Sequence, residues 1–119
     1  MTPNTKNRPL SVTEYNLARW MLENGNSEAC NFLLQLEDAM VMPWRCPCGC
    51  ASINFQIGKY PPSPRGIHIL GDYLCGTFDE PAGAFIYSSG ELLAGIEVYA
   101  LAGEVLDALP TAPLRQFGD

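Results

Sequence analysis

The period of the apolar positions changes near residue 40, and that change divides the chain. Before it the spacing is helical. Val12, Tyr15, Ala18, Met21 and Leu22 recur at i, i+3 and i+4, which puts them on one stripe of an amphipathic helix. The start of that helix is written in L-S-V-T-E-Y. Ser11 is an N-cap, Glu14 three residues on closes a capping box, and Leu10 and Tyr15 occupy the positions of a hydrophobic staple. The helix is expected to run to Glu23 and to stop at Asn24-Gly25, with Gly25 in the left-handed region. Ser27 then caps a second helix that carries Ala29, Cys30, Leu33 and Leu34. Residues 11–39 therefore read as a helical hairpin joined by N-G-N-S.

From Met40 the pattern is that of strands. The runs M-V-M-P-W-R-C, A-S-I-N-F-Q-I, G-I-H-I-L-G-D-Y-L, G-A-F-I-Y-S-S and E-L-L-A-G-I-E-V-Y-A-L are separated by Gly, Pro and Ser, at lengths that suit an antiparallel meander. S-S-G-E at 88–91 is a tight hairpin. Ile96, Val98 and Ala100 share one face of the last run and Glu97, Tyr99 and Leu101 the other, so the sheet is half covered. The expected fold is α+β: a helical hairpin over 11–39 packed on an antiparallel sheet of about four to five strands over 40–102. An extended tail at 110–119, held out of helix by its prolines, completes a single domain. K-Y-P-P-S-P-R-G is a polar surface loop.

A chain of 119 residues supplies one core. The N-terminal segment has no apolar h-region and nowhere do 18 apolar residues run together, so the expected location is the cytoplasm, away from any membrane. Thiols are kept reduced there, and five cysteines cannot all pair, so disulfides are discounted.

Cys46, Cys48 and Cys50 alternate in R-C-P-C-G-C-A-S-I-N-F-Q-I, while Ile53, Phe55 and Ile57 occupy the opposite phase. A β-bulge or tight turn near Gly49–Ser52 must shift the register between the two sets. The first reading of the cysteines is as small apolar residues of the core, with no metal bound. The alternative is zinc, whose four-ligand site would take these three cysteines with Cys75 or His68 as the fourth. The spacing lacks the second C-x2-C knuckle of common structural sites. His68, the one histidine, lies in the apolar run G-I-H-I-L and is expected to be packed or at the surface. A Cys75/His68/Asp72 set would have to converge from alternate faces of one strand, and no phosphate loop, nucleophile elbow or metalloprotease helix is present, so no catalysis is expected.

Charge carries more information. The net charge is −6, and no Lys or Arg stands between Arg65 and Arg115, a span holding Asp72, Asp79, Glu80, Glu91 and Glu97 among its acids. Such a field repels nucleic acid and attracts a cationic protein.

The strings A-R-W-M-L-E-N-G, F-L-L-Q-L-E-D-A-M-V-M-P-W-R-C-P-C-G-C-A-S-I-N-F, I-L-G-D-Y and G-E-L-L-A-G-I-E-V-Y-A-L resemble a group of small bacterial proteins. These share a C-x-C-G-C-x-S-I-x-F core and an L-x-G-I/L-E-V-Y strand. Ala51 stands where the group has proline. Proteins of this build are similar in size and charge to immunity proteins that neutralise toxins delivered between bacteria. That likeness implies a non-catalytic cytoplasmic inhibitor of a basic, nuclease-like toxin, and the charge pattern gives Asp72, Asp79, Glu80, Glu91 and Glu97 as its contacts; the alternatives are a zinc- or thiol-dependent protein using Cys46, Cys48 and Cys50, and a housekeeping interaction domain.

Overall fold

The computed structural model describes residues 6–60, 66–102 and 105–116. Helix α1 spans Val12–Glu23 and begins with the capping box its sequence encodes. The Glu14 N–H donates to Ser11 Oγ at 3.1 Å, and the Ser11 N–H donates to a Glu14 carboxylate oxygen at 2.7 Å. Arg8 grips the same carboxylate with both guanidinium arms at 2.8 Å, which holds the Glu14 carboxyl below its usual pKa. The buried stripe is Leu17, Ala18, Met21 and Leu22, whereas Val12 in the first turn stays exposed.

Gly25 is not left-handed, contrary to the cap expected there. Asn24 ends the helix instead, its side-chain amide donating to the Trp20 carbonyl at 2.8 Å. Glycine at 25 answers to space, since a Cβ there would lie 2.4 Å from the Leu70 carbonyl oxygen and 2.7 Å from Ala29 Cβ. The second helix also departs from expectation. It is a 3-10 turn, Ala29–Phe32, that runs into a single α-helical turn, α2, Leu33–Leu36. Ser27 does not cap it: Glu28 stands at the N-cap, and the Asn26 side-chain oxygen Oδ1 accepts from the N–H groups of Glu28 and Ala29 at 2.9 and 3.0 Å just before the turn.

The strands are β1 (Arg8–Pro9), β2 (Ala39–Val41), β3 (Ile53–Ile57), β4 (His68–Gly76), β5 (Pro81–Ser89), β6 (Leu92–Ala100) and β7 (Arg115–Gln116). All pair antiparallel in one sheet of order β1-β2-β3-β6-β5-β4-β7. This is larger than the expected four to five strands, and it reaches beyond 40–102 at both ends. The additions are two-residue edge strands, too short to carry a period. Only β4, β5 and β6 form a meander. Strand β3 skips its successor and pairs with β6, Ile53 opposite Ile96, so β6 and β5 stand between β3 and β4 in the sheet. The S-S-G-E hairpin forms as expected, with Ser89 opposite Leu92 and Gly90 at φ +62°.

One sheet face packs on the helices. Ile53, Phe55, Ile57, Tyr73, Cys75, Ala84, Ile86, Ile96 and Val98 meet Leu17, Ala18, Met21, Leu22 and Leu36 there. Tyr73 closes the far end of α1 from below: its hydroxyl donates to the Met21 carbonyl at 2.6 Å, and Trp20 lies against its ring at 4.9 Å. A carbonyl of the last helical turn is thus satisfied from the sheet. The C-terminal segment is extended, as its prolines dictate, and it is packed. Leu106, Leu109, Ala112 and Leu114 rest against the core before β7 adds to β4. The proline-rich loop at 61–65 and Glu104 lie outside the described residues.

Candidate functional site

Strand β2 ends at Val41 and β3 begins at Ile53, so the cysteines occupy the loop between them. Pro43 and Pro47 remove backbone donors that a continuous strand would need. Residues 46–49 close a β-turn in which the Gly49 N–H donates to the Cys46 carbonyl at 3.0 Å. Pro47 at the second position and Gly49, at φ +88°, are the residues this turn favours. The turn gathers the thiols. Cys46 and Cys48 sulfurs are 2.9 Å apart, and the three sulfurs of Cys46, Cys48 and Cys50 all lie within 4.8 Å of one another. The Cys50 N–H points at the Cys48 sulfur at 3.4 Å. Ser52 anchors the exit, with its hydroxyl 3.2 Å from the Cys50 sulfur while accepting the Val98 N–H at 3.0 Å.

The shift of phase before Ile53 is therefore present, and Cys46 and Cys48 are not the core residues first expected, whereas Cys50 packs against the edge of the core. Cys48 is exposed, and Cys46 and Cys50 are half-buried. Their thiols do not ionise alike. Burial pushes Cys50 up, but its hydrogen bonds with Ser52, Cys48 and Cys46 outweigh that and bring it down to about 7. Cys46, whose thiol is engaged by Cys48, is pushed up to about 11. Neither proposed fourth ligand joins them. Cys75 is buried on the inner face of β4, where burial raises its pKa, and His68 is exposed with Nε2 2.6 Å from a Glu28 carboxylate oxygen. The Cys75/His68/Asp72 set does not converge either, since Asp72 projects from the face opposite Cys75.

The sheet face opposite the helices carries a second group. Register places Asp72, Phe85 and Glu97 side by side on β4, β5 and β6, followed by a row of Leu74, Gly83 and Tyr99. Tyr99 lies across Gly83, where a Cβ would come within 2.1 Å of the ring, and its hydroxyl donates to Asp72 at 3.0 Å. Burial and that carboxylate push the Tyr99 phenol up to about 12. Phe85 stands 5.7 Å from Tyr87 and 6.1 Å from Tyr99, centroid to centroid. The Tyr87 hydroxyl donates to Asn54 at 3.1 Å. Phe85 and Tyr99 are half-buried and Tyr87 is buried, and none of the three belongs to the cluster under the helices.

The five acidic positions divide. Asp72 and Glu97 flank Phe85, and Asp79 and Glu80 sit in the β4–β5 turn, about 13 Å further along the strand at ~3.3 Å per residue. Glu91 lies in the β5–β6 turn at the opposite end of the sheet, so it does not share their surface. The run free of basic residues in sequence is not free of them in space, because Arg115 on β7 sits opposite Leu74. The tip of the β4–β5 turn holds Phe78, 96% exposed, in a loop pinned by the Glu80 N–H on Thr77 Oγ1 at 2.9 Å. Sequence reasoning passed over Phe78 and Phe85. Phe85 was legible in the alternation of G-A-F-I-Y, whereas Phe78 had only its place in a polar turn as a signal.

Comparison with protein-family models, with curated proteins and with solved structures returns no match. Among the described residues no helix is long and apolar enough to cross a membrane.

Proposed function

We propose that the protein is a non-catalytic binding domain whose open sheet face receives a basic protein, in the manner of an immunity protein that neutralises a cationic, nuclease-like bacterial toxin. The observation that carries this reading is the row in which Phe85 lies between Asp72 and Glu97, with Tyr99 alongside. An arginine or lysine laid over such a row meets an aromatic face and two carboxylates at once, which favours guanidinium or ammonium groups over neutral side chains. Rigid aromatic rings also supply contact area at small entropic cost, as anchors in protein interfaces do. Asp79, Glu80 and Phe78 extend the same character to the tip of the hairpin.

The test is co-expression with the toxic reading frame expected beside its gene. The wild-type chain should restore growth, and the Asp72→Lys/Glu97→Lys variant should not while remaining folded. Full protection by that variant, or the absence of any toxin-bearing neighbour, overturns the immunity reading.

A further inference from the structure

We propose that Cys46, Cys48 and Cys50 form a three-sulfur site for a soft monovalent d10 cation, with Cu(I) as its preferred ion. At a metal–sulfur distance of roughly 2.3 Å, the value for zinc thiolates, three ligands in a trigonal plane stand about 4.0 Å apart. The observed separations, from 2.9 Å for Cys46 and Cys48 to no more than 4.8 Å, bracket that value, so an ion enters with sulfur movements of about 1 Å. Two thiols at 2.9 Å are closer than sulfur atoms pack without a bond or bridge between them, and separation onto a shared cation relieves the contact.

The number of ligands also selects the ion. Among the described residues no imidazole or carboxylate joins the three sulfurs within that span. His68 is engaged by Glu28, Cys75 is in the core, and the Glu14 carboxylate is held by Arg8 and the Ser11 N–H. Structural zinc completes a tetrahedron with four protein ligands, whereas three soft sulfurs suffice for Cu(I).

The loop is fixed before any ion arrives. The Cys46–Gly49 turn, the hydroxyl of Ser52 on the Val98 N–H and the Ala51 N–H on the Leu106 carbonyl at 2.9 Å set the three side chains on one side. Cys46 and Cys50 line a cleft of about 590 Å³ whose wall carries Lys6, Arg8 and Arg45 against the two carboxylates of Glu14 and Asp107. Three thiolates around a monovalent ion leave a charge of −2, and basic side chains near that cleft oppose it in a chain that is otherwise strongly acidic. Binding releases the thiol protons to solvent and involves no change of oxidation state.

The experiment is anaerobic titration of the reduced full-length protein against a chromophoric Cu(I) chelator. One equivalent should transfer to the protein. Loss of one outer-sphere partner weakens metal sites by about 10–100-fold, so Cys46→Ser, Cys48→Ser and Cys50→Ser should each weaken binding by at least that much. Cys30→Ser and Cys75→Ser should leave it within about threefold. X-ray absorption of the complex should show three sulfur neighbours, and zinc in a parallel titration should bind with a non-sulfur ligand and yield to Cu(I). Cys48 is exposed, so a folded Cys48→Ser protein that retains full affinity overturns the proposal. Retention of zinc against Cu(I), or a Cys46–Cys48 disulfide in protein from reducing cytosol, does the same.

Discussion

Replacement of Gly83 by alanine isolates the contact that shapes the open face. Gly83 is buried and its φ is not in the left-handed region, so its backbone accepts any L-residue without strain. By itself, glycine to alanine at such a position stabilises by about 0.4–1 kcal/mol through the unfolded chain. The structure predicts the opposite here, because the new Cβ would meet Tyr99 Cζ, Oη and Cε2 at 2.1, 2.3 and 2.5 Å. Ordinary contact needs about 3.5 Å or more, so the ring must move by more than 1 Å, and it gives up its hydrogen bond to Asp72 in doing so. Overpacking of this kind costs about 1–3 kcal/mol. A double-mutant cycle separates the terms. Gly83→Ala should destabilise the wild-type background by that amount and should be neutral or stabilising when Tyr99 is already alanine, a coupling of about 2 kcal/mol. Urea denaturation reads it as a midpoint shift of about 1 M at a typical slope for a chain this size. An equal cost in both backgrounds refutes the claim that Tyr99 lies over Gly83.

Two further outcomes follow from buried polar contacts. Glu14→Gln removes the carboxylate shared by the capping box and Arg8 and should cost about 1–2 kcal/mol at pH 7. Because Arg8 holds the folded carboxyl below its usual range, this stability is present above the unfolded value of roughly 4.3 and is lost as pH falls through the folded pKa. The gap between Glu14→Gln and wild type should therefore close below pH ~4 in chemical denaturation, and a gap that persists at pH ~2 contradicts the ion pair. Tyr73→Phe should lower Tm by about 4–8 °C through loss of the bond to the Met21 carbonyl, and an unchanged thermal melt would show that carbonyl to be satisfied elsewhere.

The features legible in the sequence were those carried by local chemistry. Ser11 and Glu14 at capping-box spacing, Gly90 in a two-residue hairpin, and the alternation of Ile53, Phe55 and Ile57 each commit the backbone without help from distant residues. Features decided by remote partners were not legible. Nothing near Ile53 in sequence says that it pairs with Ile96 in preference to the next strand. Gly25 reads as a helix cap until the Leu70 carbonyl is seen against it. The thiol cluster lay between these cases. The C-P-C-G turn was written in the chain, but alternation suggested a strand, and only the end of strand β2 at Val41 shows that Cys46 and Cys48 leave the core while Cys50 stays at its edge. Charge was legible as composition and misleading as a surface, because the fold sends Glu91 to one end and brings Arg115 to the other edge.

The most direct test of the binding claim is the association rate of the purified chain with a basic toxin of the kind the proposed function requires, measured by stopped flow at two salt concentrations. Reversal of charge at Asp72, Glu80 and Glu97 should slow association by about tenfold or more, and dissociation should change less, because carboxylates at the rim act through a long-range field. Raising the salt shortens that field from about 10 Å at 0.1 M towards 3 Å at 1 M and should reproduce the effect in the wild-type chain. An association rate indifferent both to salt and to the triple reversal would mean that the acidic, aromatic sheet face is not where the partner binds.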